Sequence, residues 1–109
     1  MTTYDATVEA ARRRWEKAAR LADTAWDAGL TPDQVAALDD RQLAVLARRA
    51  GVNPPRAGSV DTRALLLANL VRMTYWAAAH PEGERARRRV LSDAEVAALL
   101  ASRRASASQ

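Results

Sequence analysis

His80 is the one imidazole in a chain of 109 residues that contains no cysteine. A single histidine without thiolates cannot assemble a zinc site, and zero cysteine excludes a disulfide framework and a thiol nucleophile. His80 stands directly before Pro81 at the end of a long apolar segment, where a cationic ring suits the terminal carbonyls of a helix. Acid–base or nucleophilic catalysis would need a nucleophile and an orienting acid around it, and no motif supplies them. Asp39-Asp40 reads as a helix cap followed by a charge that matches the helix dipole. The 4 glycines do not cluster into a phosphate-cradling loop. The expectation is a protein that is not an enzyme, with no cofactor, no metal and no small-molecule substrate.

The basic residues are the other candidates. Formal charge is +4 and the pI is about 10.6, a balance that suits an acidic partner such as nucleic acid. Sixteen of the 17 basic residues are arginine, with Lys17 the only lysine. Together with 26 alanines and no isoleucine or phenylalanine, this skew matches the residue usage of a GC-rich bacterial genome, which discounts the arginine excess as a phosphate signal. Arg12-Arg13-Arg14 fans over three directions of a helix and reads as solvated surface. Arg85, Arg87, Arg88 and Arg89 form a denser cluster that could grip phosphates non-specifically. Residues 1–29 are electrically neutral.

The elements that must position these groups all read as helix. Alanine, leucine, arginine and glutamate dominate, and no β-branched or aromatic run argues for a strand. The first helix is predicted from about Asp5 to Ala28, with Gly29 as its left-handed stop. Tyr4, Val8, Ala11, Trp15, Ala18, Ala22 and Trp26 make one apolar stripe along it. In a chain without phenylalanine the three tryptophans read as core anchors.

Thr31-Pro32-Asp33-Gln34 is a complete helix start, with a capping box and a Leu30–Val35 staple. A short helix follows to about Leu38. Asp39 or Asp40 caps another, running to Ala50 and stopped by Gly51, with Leu43, Leu46, Ala47 and Ala50 inward. Residues 52–60 hold two adjacent prolines and a glycine and must be extended loop, with Val52 and Val60 expected as its anchors.

Ser59 or Asp61 caps a helix from about Asp61 to Ala79 that is apolar over most of its circumference. Such a helix belongs in the middle of a bundle, or shows one face to another chain. Glu84–Arg89 could form a charged turn or two. Leu91-Ser92-Asp93-Ala94-Glu95-Val96 then repeats the start logic of Leu30–Val35, as two helices obeying the same capping rules.

Gln42-Leu43-x-x-Leu46-Ala47-x-x-x-Gly51-Val52, followed by the loop and Thr62-Arg63-x-Leu65-Leu66, resembles the helix–extended loop–helix class of SAP, LEM and Rho amino-terminal domains. The first half also looks like a helix-turn-helix, but Pro54, Pro55 and Gly58 lie where a recognition helix would run. The resemblance covers about residues 39–70. It implies a nucleic-acid-binding or a protein-docking module, with contacts from Arg48, Arg49, Arg56 and Arg63.

The expected architecture is therefore all-α: a small single-domain bundle of four to five helices over residues 1–104, with a helix–extended loop–helix centre and a disordered tail at 105–109. The expected function is a non-enzymatic adaptor or assembly module that docks a protein or self-associates, with Trp26, Tyr75 and Trp76 as interface candidates. The alternative is a small basic nucleic-acid-binding, for instance DNA-binding, protein using the loop and linker arginines Arg48, Arg49, Arg56, Arg63, Arg87, Arg88 and Arg89 on the phosphate backbone. No apolar leader or membrane span is visible, which makes the cytoplasm the expected location.

Overall fold

The structure, a computed structural model, describes the backbone of residues 3–56 and 60–107 and the side chains of residues 5–56, 60–86 and 88–101. Five α-helices follow in order: α1 (Thr3–Asp27), α2 (Pro32–Ala36), α3 (Asp40–Arg49), α4 (Val60–Ala79) and α5 (Asp93–Ala107). A 3-10 turn, Glu84–Arg87, lies between α4 and α5. The described residues contain no strand, so the all-α expectation holds.

The helix boundaries follow from local chemistry. α1 and α3 stop in the same way. Gly29 (φ 85°) and Gly51 (φ 73°) take left-handed conformations. Behind them the amides of Leu30 and Val52 reach back to the carbonyls of Ala25 (2.9 Å) and Ala47 (3.0 Å), so each turn closes on orphaned helix carbonyls. Three capping boxes start helices: Thr31 with Gln34, Asp39 with Gln42, and Ser92 with Glu95. Each satisfies two amides that a helix start leaves unpaired. Ser59, one of two residues expected to cap α4, lies outside the described residues. α5 continues to Ala107, into the segment expected as a tail, while Ser108 and Gln109 lie outside the description.

One apolar core joins all five helices. Leu21, Ala22, Ala25 and Trp26 of α1 meet Leu30, Val35 and Leu38 around α2, Leu43, Leu46 and Ala47 of α3, Leu66, Leu70 and Ala77 of α4, and Val96 and Leu100 of α5. The largest helix contact is α1 against α4. Leu30 and Val35, the expected staple, are both fully buried.

The body measures 48 × 41 × 21 Å. Its short dimension is about two helix diameters, so the molecule is a slab two layers thick. Such a slab covers one face of each long helix and leaves the other bare.

Three expectations about the core are corrected by this shape. Trp15 is 41% exposed, and Trp76 is 51% exposed. Only Trp26, at 4%, is a core anchor; among the described residues Trp15 is met by the edge of α4, where Arg72 lies over its ring, and stays partly open to solvent. Val60, expected to pin the loop, is exposed at the first residue of α4, whereas Val52 packs against the core.

Candidate functional site

Four of the seven arginines expected to meet a phosphate backbone, Arg49, Arg63, Arg88 and Arg89, have partners within the protein. Arg88 Nη1 donates to the Leu30 carbonyl at 2.7 Å, at the corner where α1 turns into α2. Its guanidinium lies 3.8 Å from the centroid of the Trp26 ring, and burial lowers its pKa from the usual arginine value. Arg63 Nη1 donates to the Leu38 carbonyl at 2.8 Å, just beyond α2, and its other nitrogen pairs with Asp40 at 3.6 Å. Arg49 donates to the Leu99 carbonyl at 3.0 Å. Arg89 is paired with Glu95, and Arg85 with Asp23 at 2.8 Å.

Arg48 and Arg56 are exposed, and the Arg87 side chain lies outside the described ones. The six described arginines therefore do not gather into one outward surface. Two of them, Arg63 and Arg88, donate to carbonyls just beyond the ends of α2 and α1.

Sequence reasoning passed over a smaller basic group. Arg13, Lys17 and Arg20 line a shallow groove with Glu16 and the Gly51–Asn53 turn. Their i, i+4, i+7 spacing on α1 is a legible signal, obscured because the neighbouring Arg12-Arg13-Arg14 run looks undirected. Arg13 is also paired with Glu9 at 3.6 Å.

The interface candidates divide differently. Trp26 is buried and cannot meet a partner, since Arg88 covers its ring and the core surrounds it. Tyr75 is 74% exposed and Trp76 half-exposed on the far side of α4. Trp76 stacks on His80 with centroids 4.2 Å apart and planes 16° from parallel. The His80 Nδ1–H donates to the Trp76 carbonyl at 2.9 Å. The single imidazole thus engages the end of α4, and among the described residues no group of three or more metal-ligating side chains occurs.

The most extensive uncommitted feature is a face that the sequence pattern pointed to only in part. Every described residue of α1 from Asp5 to Glu16 is exposed except the half-buried Glu9. Val8, Ala11 and Trp15 still run along it as an apolar row. Beside that row lies a groove lined by Ala11, Arg14, Trp15, Asp61, Ala64 and Leu65.

The groove opens onto the outer side of α4. Val60, Ala64, Ala68, Val71 and Tyr75 follow a 4-4-3-4 spacing there and are all exposed. Two polar contacts tie the helices together at its rim: Arg14 to Asp61 at 3.6 Å, and Arg72 over the Trp15 ring at 5.2 Å. The result is a strip made of apolar rows on two helices, with Arg14–Asp61 and Arg72–Trp15 at the groove between them. The signal for it was present, in a stripe longer than the core can use and a helix apolar on all sides.

No protein family, curated protein or solved structure matches this chain. Among the described residues no helix is long and apolar enough to cross a membrane.

Proposed function

We propose that the protein is a non-enzymatic docking module, which binds another protein through the strip shared by α1 and α4. The observation that carries this reading is the bare first half of α1. An isolated helix of about 12–15 residues is marginal in water even with good helix formers, yet here an exposed segment of that length keeps an apolar row. A partner laid along Val8, Ala11 and Trp15 would supply the packing that its own chain does not.

The outer row of α4 supports the same conclusion. Helices apolar on every side belong to interiors, and α4 becomes interior only when a second surface covers Ala64, Val71 and Tyr75. Exposed aromatic and aliphatic groups in contiguous patches mark protein contact sites. The alternative of phosphate binding loses support because Arg49, Arg63, Arg88 and Arg89 already serve carbonyls and carboxylates within the chain.

Photo-crosslinking inside the native cells tests this reading. A photoreactive amino acid in place of Tyr75 or Val8 should give discrete protein adducts, while the same group at exposed Arg41 of α3 should give none. Adducts dominated by nucleic acid, or no adduct from either strip position, would overturn it.

A further inference from the structure

We infer that the occupant of the α1–α4 strip is a second copy of the same chain, packed as a two-fold dimer; this rests on the docking reading above. The first argument is charge. The overhanging segment from Asp5 to Glu16 carries three acidic and three basic residues, and the outer side of α4 adds Asp61 and Arg72. Arg13 and Glu16 line the other groove, Arg12 is paired with Glu9 and Arg14 with Asp61, so the strip carries little net charge in a molecule of net charge +4. Two identical copies can meet there without net repulsion, although the same two molecules would repel through their remaining surfaces. A strongly charged foreign partner would find nothing on this strip to select it.

The second argument is area. A self-sufficient globular chain of 11.9 kDa shows about 6,000 Å² to solvent, whereas this one shows 7292 Å². Taken over the whole chain, the surplus exceeds the roughly 800 Å² that each partner contributes to a stable interface of standard size, and the exposed rows of α1 and α4 contribute to it. The radius of gyration tells the same story, at 15.1 Å against about 13 Å for a compact chain of this length.

The third argument is shape. A slab 21 Å thick, bare along one strip, becomes a body with an interior when two such strips face each other. A two-fold axis sets the α1 overhang of one copy against the α4 row of the other, and the reverse contact follows from symmetry. Interfaces of this kind, low in net charge and centred on aliphatic and aromatic groups, resemble a domain core cut in half.

Sedimentation equilibrium of the full chain from about 1 to about 500 μM tests the inference, because a dimer's stability depends on protomer concentration. The expected mass is twice 11.9 kDa. Tyr75→Arg and Ala64→Arg should weaken the dimer by roughly 100-fold while leaving the helical circular dichroism unchanged, since both sites are solvent-facing members of the α4 row.

The chain has no cysteine, so Tyr75→Cys takes a single fluorescent label, and mixed donor- and acceptor-labelled copies should show energy transfer. Arg41→Cys provides the comparison outside the strip. A strict monomer throughout, or a dimer indifferent to both arginine variants, would overturn the inference. If the chain is monomeric but crosslinks at Tyr75 to proteins of other masses, the second copy is wrong and the docking reading survives. If it is monomeric and forms no crosslink, both fall.

Discussion

Arg88 lies over Trp26 with its guanidinium 3.8 Å from the ring centroid and its Nη1 2.7 Å from the Leu30 carbonyl. The two residues are 62 positions apart, and their contact locks the segment before α5 onto the corner between α1 and α2. A stacked, forked cation suits this place because guanidinium is planar, weakly hydrated and always charged. Losing burial of the stem, the cation–π contact and a charged hydrogen bond together costs about 2 kcal/mol.

Arg88→Ala should therefore lower the melting temperature by roughly 8–16 °C, on the scale by which such small domains respond. Arg88→Lys should recover only part of it, because an ammonium cannot both stack and reach the carbonyl. Arg48→Ala, at an exposed site, should stay within about 0.5 kcal/mol of the parent. Thermal unfolding followed by circular dichroism compares the three. Equal melting points for the Arg88 and Arg48 variants would show that Arg88 is surface charge after all.

The two glycine stops separate backbone strain from crowding. Both take positive φ, so an added Cβ costs about 1–2 kcal/mol at either. Around Gly51 nothing lies within 4 Å of that Cβ, whereas at Gly29 it would overlap the Arg89 carbonyl oxygen and press on Leu91. The Gly29 carbonyl also accepts from the Leu91 amide at 3.0 Å. Gly51→Ala should thus lose only the strain, while Gly29→Ala should lose more than about 3 kcal/mol by also prising away the segment that leads into α5. Denaturant midpoints measured on both variants decide the difference.

These examples mark how far the sequence could be read. The capping boxes of α2 and α5 and the two glycine stops were legible because their partners sit within about five residues, where spacing alone dictates geometry. At α3, by contrast, Asp39 and Asp40 were equal candidates until the Asp39–Gln42 box decided between them. Arg63 and Arg88 were not legible, since their acceptors lie at Leu38 and Leu30, on the far side of intervening helices. An arginine that closes a distant helix end and one that faces solvent have the same local sequence. Trp15 teaches a related limit. Periodicity showed that it shares a side of α1 with Trp26, but not that α4 would meet it only at an edge, through Arg72 and the groove beside Ala64 and Leu65. The exposed row on α4 was foreshadowed by apolarity on all sides, and only the packing of α1 on α4 revealed which side stays bare.

Gln34 shows a local role and a distant role in one side chain. Its Oε1 accepts from the Thr31 amide at 3.0 Å, completing the box at the start of α2. Its Nε2 donates to the Leu91 carbonyl at 2.7 Å and to Asp93 at 3.1 Å, so the starts of α2 and α5 are pinned together. Gln34→Glu keeps the acceptor but turns the donor into a second acceptor facing a carbonyl and a carboxylate. That change should cost about 2 kcal/mol near neutral pH. The new carboxyl would have a raised pKa, since its charged form is disfavoured by both neighbours. The loss should therefore shrink as pH falls through the carboxylate range, where protonation restores a donor. Melting curves at pH 7 and near pH 4.5 test the sign, and a deficit independent of pH would refute the assigned geometry.

Glu95 carries a pH dependence of the opposite sense. The Ser92 amide, the Arg89 guanidinium and the Ser92 hydroxyl, in that order, hold its carboxyl below the ordinary value of 4.5. A group with a depressed folded pKa favours folding fully above its unfolded pKa and loses that contribution as pH falls through the folded value. The start of α5 should accordingly be intact at neutral pH and loosen below about pH 4.5, as protonation removes the acceptor shared by Ser92 and Arg89. Hydrogen exchange at the Ser92 and Glu95 amides should accelerate, relative to the intrinsic rate, over that interval. Glu95→Gln keeps the acceptor oxygen without its charge, and it should flatten the profile while preserving most of the protection at neutral pH. If the parent and Glu95→Gln titrate alike, some other carboxyl group controls the acid response of this helix.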